Sequence, residues 1–126
     1  MNTTENSELL KLEEKLELWE LLVPTQRNDG RPIRTRFHRV WDKKVREVAG
    51  GLTVLTPVRG HWVDSPTEEI YTERMIPVRI RCTRKQLNKI LPMTLEYYEQ
   101  KAIFCYKIST ECLVYTGNNE IHNTRT

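Results

Sequence analysis

The sequence has no long apolar run and no recognisable catalytic or metal-binding motif. A helix that crosses a membrane needs about 20 consecutive apolar residues, and no stretch of the 126 residues approaches that. The amino-terminal segment is acidic, whereas a secretory signal carries positive charge ahead of an apolar segment. These absences predict a cytoplasmic protein that makes no contact with a membrane.

Cysteine and histidine are too scarce and too scattered to predict a metal site. The three cysteines, Cys82, Cys105 and Cys112, form no Cys-x-x-Cys pair and lie in apolar, strand-like surroundings. The three histidines show neither His-x-His nor His-x-x-x-His spacing, which a zinc site would favour. We therefore expect buried thiols in a reducing compartment, with no disulfide, no metal and no cofactor.

Charge is distributed unevenly along the chain, although the net charge is only +3. Residues 1–20 carry six Glu and two Lys, a net charge of −4, while residues 27–46 carry eight Lys or Arg and two Asp, a net charge of +6. A net charge of this size does not favour nucleic acid as the partner. The basic centre, however, is a candidate region for binding an anion.

The length predicts a single domain. We assign residues 1–15 to an acidic lead-in that could begin a short helix, residues 16–116 to the domain, and residues 117–126 to a polar, disordered tail.

Apolar spacing predicts the elements of the first half of the chain. Leu16–Val23 is apolar on both faces, as in a central strand, and ends at Pro24. Thr35–Ala49 repeats apolar residues at helical spacing, and Gly50 provides the stop. A bent strand then runs over Leu52–Leu55 and His61–Val63, with a break from Pro57 to Gly60.

The second half predicts a hairpin, a helix and a last strand. Ile70–Cys82 alternates as a strand with one buried face, and Pro77 indicates an edge or a bulge within it. Thr83 and Gln86 form a capping box that opens a helix, which Pro92 is expected to kink or split. Ala102–Ile108 is the final strand.

The element order β-α-β-β-α-β predicts an α+β fold of the ferredoxin-like sandwich type, an antiparallel sheet with two helices on one face. The other face of the sheet is predicted to present Tyr71, Glu73, Arg79, Arg81, Ile103 and Cys105. A face of such mixed character is often covered by a second copy of the chain. We therefore expect a homo-oligomer, with a dimer as the first expectation.

Residues 50–62 read GGLTVLTPVRGHW and are followed by Glu73 and by the alternating strand Pro77–Ile80. This pattern resembles a family of small bacterial and phage proteins in which a helix leads into Gly-Gly-Leu-Thr, then Gly-x-Trp, then an acidic residue in the next strand. The resemblance spans roughly residues 19–109. It implies that residues 50–73 form one corner of the fold, and it implies no particular activity.

The best chemical feature of the sequence is an arginine-rich loop that leads into the first helix. Arg27, Arg31, Arg34 and Arg36 surround the start of that helix, where backbone donors favour anions. We predict that they bind an anionic ligand. The alternative is that they are solvated surface charges that balance the acidic first 20 residues. No glycine pattern of a known nucleotide-binding loop is present.

Two further groups are candidate sites. His61, Trp62 and Glu73 would lie together if the hairpin pairs as predicted, giving an acid-base pair beside a stacking indole. The alternative is a packed tryptophan with an exposed histidine. Arg79 and Arg81 point to one sheet face and could line an anion pocket between subunits with Lys107, or form an ion pair with Glu73.

Three functions compete. The first is a non-enzymatic, oligomeric protein that captures an anionic, nucleotide-like molecule through its arginines, of which phage-type sequestration of a signalling nucleotide is one version. The second is a module for a protein or nucleic-acid partner, using the basic face of the first helix, Arg36, Arg39, Lys43 and Arg46. The third is a small dimeric enzyme with His61 and Glu73 as acid and base. His38 and His122 are expected on the surface, and Tyr97 and Tyr98 in packing positions.

Overall fold

The computed structural model describes residues 15–63, 66–117 and 121–122. Its elements in chain order are β1 (Glu17–Pro24), α1 (Thr35–Ala49), β2 (Thr53–Val54), β3 (Val58–Val63), β4 (Ile70–Cys82), α2 (Arg84–Tyr97), β5 (Cys105–Ser109), β6 (Val114–Tyr115) and β7 (Ile121–His122). Because β2 and β3 both pair with β4, they correspond together to one bent strand. The predicted order β-α-β-β-α-β is therefore present.

The main sheet is antiparallel, with strand order β2-β4-β1-β5 and with β3 also paired to β4. Thr53 lies opposite Arg79 and Val58 lies opposite Met75, so β2 and β3 follow one another along the same side of β4. With β2 and β3 counted as one strand, this is the strand order of a ferredoxin-like sandwich. The predicted fold is confirmed.

The core lies between one face of this sheet and both helices. Alternate residues of β1 and β4 face it, because successive side chains of a strand point to opposite faces. The helices contribute Trp41 and Val45 from α1 and Leu87 and Ile90 from α2. The buried members of the core cluster are Trp19, Leu21, Val23, Ile33, Trp41, Val45, Val78, Ile80, Cys82, Leu87, Ile90 and Tyr98.

The helix ends follow the predicted chemistry. Gly50 takes the left-handed conformation with φ 87°, and its N–H donates to the Arg46 carbonyl at 2.9 Å. Thr83 Oγ1 accepts from the Gln86 N–H at 3.1 Å, while Gln86 Oε1 accepts from the Thr83 N–H at 2.9 Å. Both capping contacts of the predicted box are thus formed. Pro92 lies inside α2 without splitting it.

Pro77 lies in a central strand, so the predicted edge position is wrong, although an irregularity does occur beside it. Leu55 N–H donates to the Pro77 carbonyl at 2.9 Å, so the backbone of Pro77 faces the side of β2 and β3. On that side, residues 55–57 separate β2 from β3. The N–H that proline lacks would point toward this gap between the two strands, where regular strand pairing is already interrupted. The break ends at residue 57, and Gly60 belongs to β3 rather than to the break.

The β3–β4 hairpin extends beyond the rest of the sheet. Strand β1 pairs with β4 only over Met75 to Cys82, whereas β3 pairs with residues 70–75. Among the described residues, the outer part of the hairpin therefore has two strands and no further neighbour in the main sheet. Val63 and Ile70 near its end are 65% and 69% exposed, which leaves apolar surface on this projection.

The predicted facing of the last strand is wrong. Cys105 lies opposite Leu21 and packs against the core together with Ile103. Tyr106 lies opposite Glu20, on the face of the sheet away from the helices, which we call the open face. The sequence could not decide this choice, because residues of both parities between 102 and 108 are apolar.

None of the described helices is long and apolar enough to span a membrane. The acidic lead-in and its short helix were predicted for residues 1–15, of which residues 1–14 lie outside the described residues, as do residues 118–120 and 123–126 of the polar tail. In that tail, Ile121–His122 pairs with Val114–Tyr115 as a two-stranded sheet. The predicted division into lead-in, domain and disordered tail stays a prediction.

Candidate functional site

The arginine-rich loop folds back on itself between β1 and α1. Ile33 N–H donates to the Thr25 carbonyl at 2.9 Å, and Arg27 N–H donates to the Arg31 carbonyl at 2.7 Å. Gly30 closes the turn with φ 86°, a left-handed conformation that glycine adopts without strain. The local fold therefore brings arginines from both arms of the loop to one end of the molecule.

These arginines line a cleft with a volume of about 600 Å³, which we call the arginine cleft. Its lining residues are Arg27, Arg31, Pro32, Arg34, Arg36, Phe37, Val40 and Tyr97. The structure thus brings together all four arginines that the sequence singled out in this loop. Their role in binding an anion stays a prediction.

The arginine cleft carries a surplus of positive charge. Arg31 Nε lies 3.3 Å from Asp29 Oδ2, an exposed ion pair. The guanidinium of Arg27 lies over the Phe37 ring, 4.6 Å from its centroid. Among the described residues, no carboxylate forms an ion pair with Arg27, Arg34 or Arg36.

The aromatic wall of this cleft was not predicted. Phe37 and Tyr97 make an edge contact with centroids 4.3 Å apart, and the Tyr97 hydroxyl donates to the Phe37 carbonyl at 2.8 Å. Burial raises the pKa of Tyr97, and the nearby Arg27 partly offsets that shift. The sequence analysis placed Tyr97 in a packing position. Residue spacing along the chain does not reveal that the end of α2 contacts the start of α1.

His38 is half-buried, so the predicted surface position is wrong. Its Nδ1 lies 2.7 Å from the Tyr98 hydroxyl, and the two rings are 5.5 Å apart. Burial lowers the pKa of His38 and raises that of Tyr98. These residues hold the two helices together behind the arginine cleft.

The structure does not bring His61 and Glu73 together. In the β3–β4 hairpin, His61 pairs with Thr72 and Gly60 pairs with Glu73, so the two side chains lie on opposite faces. His61 Nδ1 lies 3.3 Å from the Thr72 hydroxyl. The backbone of Trp62 pairs with Tyr71, but the Trp62 side chain lies outside what the structure describes, so its predicted contact with a ligand stays a prediction.

Glu73 instead lines a cavity of about 290 Å³ on the open face, which we call the Glu73 cavity. Its lining residues are Leu22, Pro24, Glu73, Met75, Gln100, Ala102, Ile103 and Phe104. Glu73 is the one carboxylate among these, and most of its companions are apolar. The lining comes from β1, β4 and the chain before β5, so no sequence spacing could have assembled it.

Arg79 and Arg81 do not form a pocket with Lys107. Arg79 Nε donates to Glu20 Oε1 at 2.9 Å, so its ion-pair partner is Glu20 and not Glu73. Lys107 lies on the opposite face of the sheet, where its Nζ is 2.9 Å from Glu17 Oε2. One terminal nitrogen of Arg81 is buried and has no hydrogen-bond partner in the described part of the chain.

The basic face of α1 is less uniform than its sequence indicates. Arg46 Nε donates to Asp42 Oδ1 at 2.6 Å, one turn earlier on the helix. Arg36 belongs to the arginine cleft. Arg39 lines a small cavity of about 90 Å³ beside His38, so these exposed cations share one helix face by spacing but have different neighbours.

Within residues 15–63, 66–117 and 121–122, no group of three or more His, Cys, Asp or Glu side chains could hold a metal ion. The three cysteines are free thiols, and Cys82 is fully buried. Burial raises the pKa of Cys82 to about 12. The protonated thiol is therefore the stable form, which makes Cys82 a packing residue rather than a nucleophile.

Neither a known family model nor a curated protein matches the sequence. Solved structures match the fold at low identity. The divalent cation tolerance protein CutA1 from Thermus thermophilus is 10% identical with a TM-score of 0.57, and the match covers 74% of this chain and 82% of that one. A phage SAM lyase in complex with S-methyl-5'-thioadenosine is 12% identical with a TM-score of 0.54, covering 78% of this chain and 92% of that one.

The GlnK–ATP complex of B. subtilis is 13% identical with a TM-score of 0.50, covering 85% of this chain and 95% of that one. At these identities a structural likeness establishes the fold and leaves the activity open. The chain therefore shares the α+β, ferredoxin-like fold of these proteins.

Proposed function

We propose that this chain is a homo-oligomeric protein that binds a nucleoside of the S-adenosylmethionine class at the Glu73 cavity. The observation that carries the proposal is the position of Glu73 as the single carboxylate in a mostly apolar lining. The Glu73 side chain is itself exposed, and its carboxylate gives this apolar cavity one negative charge that attracts a positively charged group. S-adenosylmethionine supplies that charge on its sulfonium and ammonium groups.

The comparisons support an adenine nucleoside as the ligand. The solved structure of the phage SAM lyase is a complex with S-methyl-5'-thioadenosine, and that of GlnK is a complex with ATP. The match to the SAM lyase covers 92% of that chain. The common fold thus includes nearly all of a protein that handles this ligand class.

Lyase chemistry is the enzymatic form of the proposal. S-methyl-5'-thioadenosine is what remains when the sulfonium loses its four-carbon amino-acid arm. Breaking that carbon–sulfur bond gives both electrons to sulfur, and a cation becomes a neutral thioether. In one route, the carboxylate oxygen of the amino-acid arm bonds to the carbon that leaves sulfur, which closes a lactone. In the other route, a base removes a proton from the neighbouring carbon, and a double bond forms between the two carbons. Glu73 would orient the positively charged substrate in the first route and act as that base in the second.

Oligomerisation follows from the size and place of the cavity. A volume of about 290 Å³ lies at the lower limit of small-molecule sites, which measure roughly 300–1,000 Å³. Phe104, which lines it, is 54% exposed, and Ile108 further along the same segment is 40% exposed. A second copy laid on the open face would cover exposed apolar surface beside the cavity and enclose the ligand. A dimer remains the first expectation.

The test is incubation of purified protein with S-adenosylmethionine, followed by calorimetry and by mass spectrometry of the small molecules. We expect binding that Glu73→Gln weakens by about tenfold or more, because the variant removes one close charge interaction of roughly 1.4 kcal/mol. The matched control is Glu47→Gln, an exposed carboxylate on α1 outside the cavity. Native mass spectrometry of the same samples reports the number of subunits.

The products separate the versions of the proposal. Appearance of S-methyl-5'-thioadenosine that depends on Glu73 would establish the lyase. Retention of the intact ligand would establish a binding protein without catalytic activity. This is the function that the sequence predicts, and sequestration of a signalling nucleotide is one form of it. Absence of both binding and product, or an equal loss in Glu47→Gln, would overturn the proposal.

A further inference from the structure

We infer that the arginine cleft is a second ligand site, which binds the phosphate chain of a nucleoside triphosphate. It shares no lining residue with the Glu73 cavity, and its charge has the opposite sign. The inference is therefore independent of the proposed function, and either can fail without the other.

Charge sets the class of ligand. Four arginines line the cleft, and Asp29 pairs with one of them, Arg31, so four minus one leaves a local charge of +3. Guanidinium groups bind phosphate oxygens in pairs and hold less tightly to water than ammonium groups do. A triphosphate chain, with a charge of about −3 to −4 near neutral pH, matches this surplus better than a single phosphate.

Hydrogen bonds order the backbone of the arginine-rich loop before any ligand arrives. Asn28 Nδ2 donates to the Glu99 carbonyl at 2.9 Å, and Gln100 Nε2 donates to Asn28 Oδ1 at 3.3 Å. These contacts tie the tip of the loop to the end of α2, in addition to the hydrogen bonds within the loop. A pre-ordered site loses less entropy on binding than a flexible one.

The cleft also has room and surface for more than the phosphates. Its volume of about 600 Å³ lies in the middle of the range for small-molecule sites. Pro32, Phe37, Val40 and Tyr97 form the apolar part of the lining, where a sugar and base could lie. Lys44 Nζ is 5.4 Å from the Tyr97 ring centroid and adds positive charge at this side.

Helix α1 adds to the attraction. Its first turn contains no acidic residue, and the side chain of its N-cap residue, Arg34, makes no capping hydrogen bond. The positive end of the helix dipole is therefore not neutralised by a carboxylate of its own first turn. This effect supports the arginines and would not make a site without them.

The test is calorimetry with ATP, ADP, AMP, adenosine and inorganic tripolyphosphate at constant ionic strength. Affinity is expected to rise with the number of phosphates, with ATP at least about tenfold tighter than AMP. The double variant Arg34→Gln/Arg36→Gln should weaken ATP binding by about tenfold or more. The matched control is Lys43→Gln/Lys89→Gln, which removes two exposed helix charges outside the cleft.

Circular dichroism melts of both double variants show whether each is folded, and Arg36→Gln alone serves if the double variant is not. ATP binding should persist in Glu73→Gln, which separates this site from the Glu73 cavity. Equal affinity for adenosine and ATP, or an equal loss in the lysine control, would overturn the inference. The inference would also be overturned if single-stranded oligonucleotides bound more tightly as their length increased and if that binding depended on Lys43 as much as on the arginines. Such a result would indicate a nucleic-acid surface.

Discussion

Glu20 and Arg79 form an ion pair at the centre of the sheet. Glu20 is only 5% exposed, and its Oε1 accepts a hydrogen bond from Arg79 Nε at 2.9 Å. The two residues are direct partners across β1 and β4, on the open face. A carboxylate that has lost its hydration needs such a partner. Arg79 therefore holds the sheet together at the surface that a second copy is proposed to cover.

Replacing Arg79 should destabilise the fold more than replacing an exposed arginine. Arg79→Met keeps much of the side-chain volume but leaves the Glu20 carboxylate buried without its donor, which costs about 1–3 kcal/mol. Arg46→Met breaks the exposed pair with Asp42 and should cost less than about 0.5 kcal/mol. Urea unfolding of both variants measures the difference. Equal free energies of unfolding would contradict the assigned role of Arg79.

The hydroxyl of Thr94 joins the two helices, and its removal should be costly. Trp41 Nε1 donates to Thr94 Oγ1 at 3.0 Å, and that hydroxyl donates to the Ile90 carbonyl at 2.6 Å. Thr94→Val keeps the volume but leaves the indole N–H buried without an acceptor, so we expect a loss of about 1–3 kcal/mol in unfolding free energy.

The companion variant for this contact is Trp41→Phe, tested alone and together with Thr94→Val. If the hydrogen bond accounts for the loss, Thr94→Val should cost clearly less when Trp41 is already replaced, because no donor then remains unpaired. Additive free energies in the double variant would show that packing, not the hydrogen bond, sets the cost.

The fold was predictable because its signals are local. Helix α1 ends where Gly50 allows the left-handed turn, and α2 begins where Thr83 and Gln86 can cap one another. Strand β4 alternates between apolar and other residues from Ile76 to Cys82. Each of these features is decided by residues within a few positions of one another.

The candidate sites were only partly predictable, since they depend on contacts between distant segments. The four arginines of the cleft were identifiable because they are close in sequence, whereas Tyr97 reaches them only through helix packing. The His61–Glu73 pair was a reasonable prediction for adjoining strands, but a register in which Gly60 faces Glu73 separates the two side chains. Periodicity does not reveal such a register.

The stability of the protein should fall on mild acidification because of His38. Burial lowers the pKa of His38 in the folded protein below its unfolded value of about 6.5. When Nδ1 is unprotonated it accepts from the Tyr98 hydroxyl, and protonation removes that acceptor. His38 therefore binds a proton more tightly in the unfolded chain than in the folded protein. The contribution of neutral His38 to the unfolding free energy is complete above about pH 6.5 and decreases as the pH falls toward the folded pKa.

The measurement for His38 is the unfolding free energy at pH 7.5 and at pH 5 for the protein, His38→Gln and His61→Gln. His38→Gln should show a smaller decrease on acidification than the unmodified chain. His61 is exposed, so its variant should keep the full decrease. An identical pH dependence in all three proteins would exclude His38 as the group responsible.

Adjacent glycines at the end of α1 offer a test of backbone conformation alone. Gly50 has φ 87°, whereas Gly51 lies outside the positive-φ region, and a Cβ added at either position would meet no atom within 4 Å. Gly50→Ala should lower the unfolding free energy by about 1 kcal/mol, because an alanine is strained in the left-handed region. Gly51→Ala should be neutral or slightly stabilising, since it restricts the unfolded chain without strain. Thermal melts of the two variants measure the contrast, and equal effects would mean that Gly50 is not required for the left-handed turn that leads into β2.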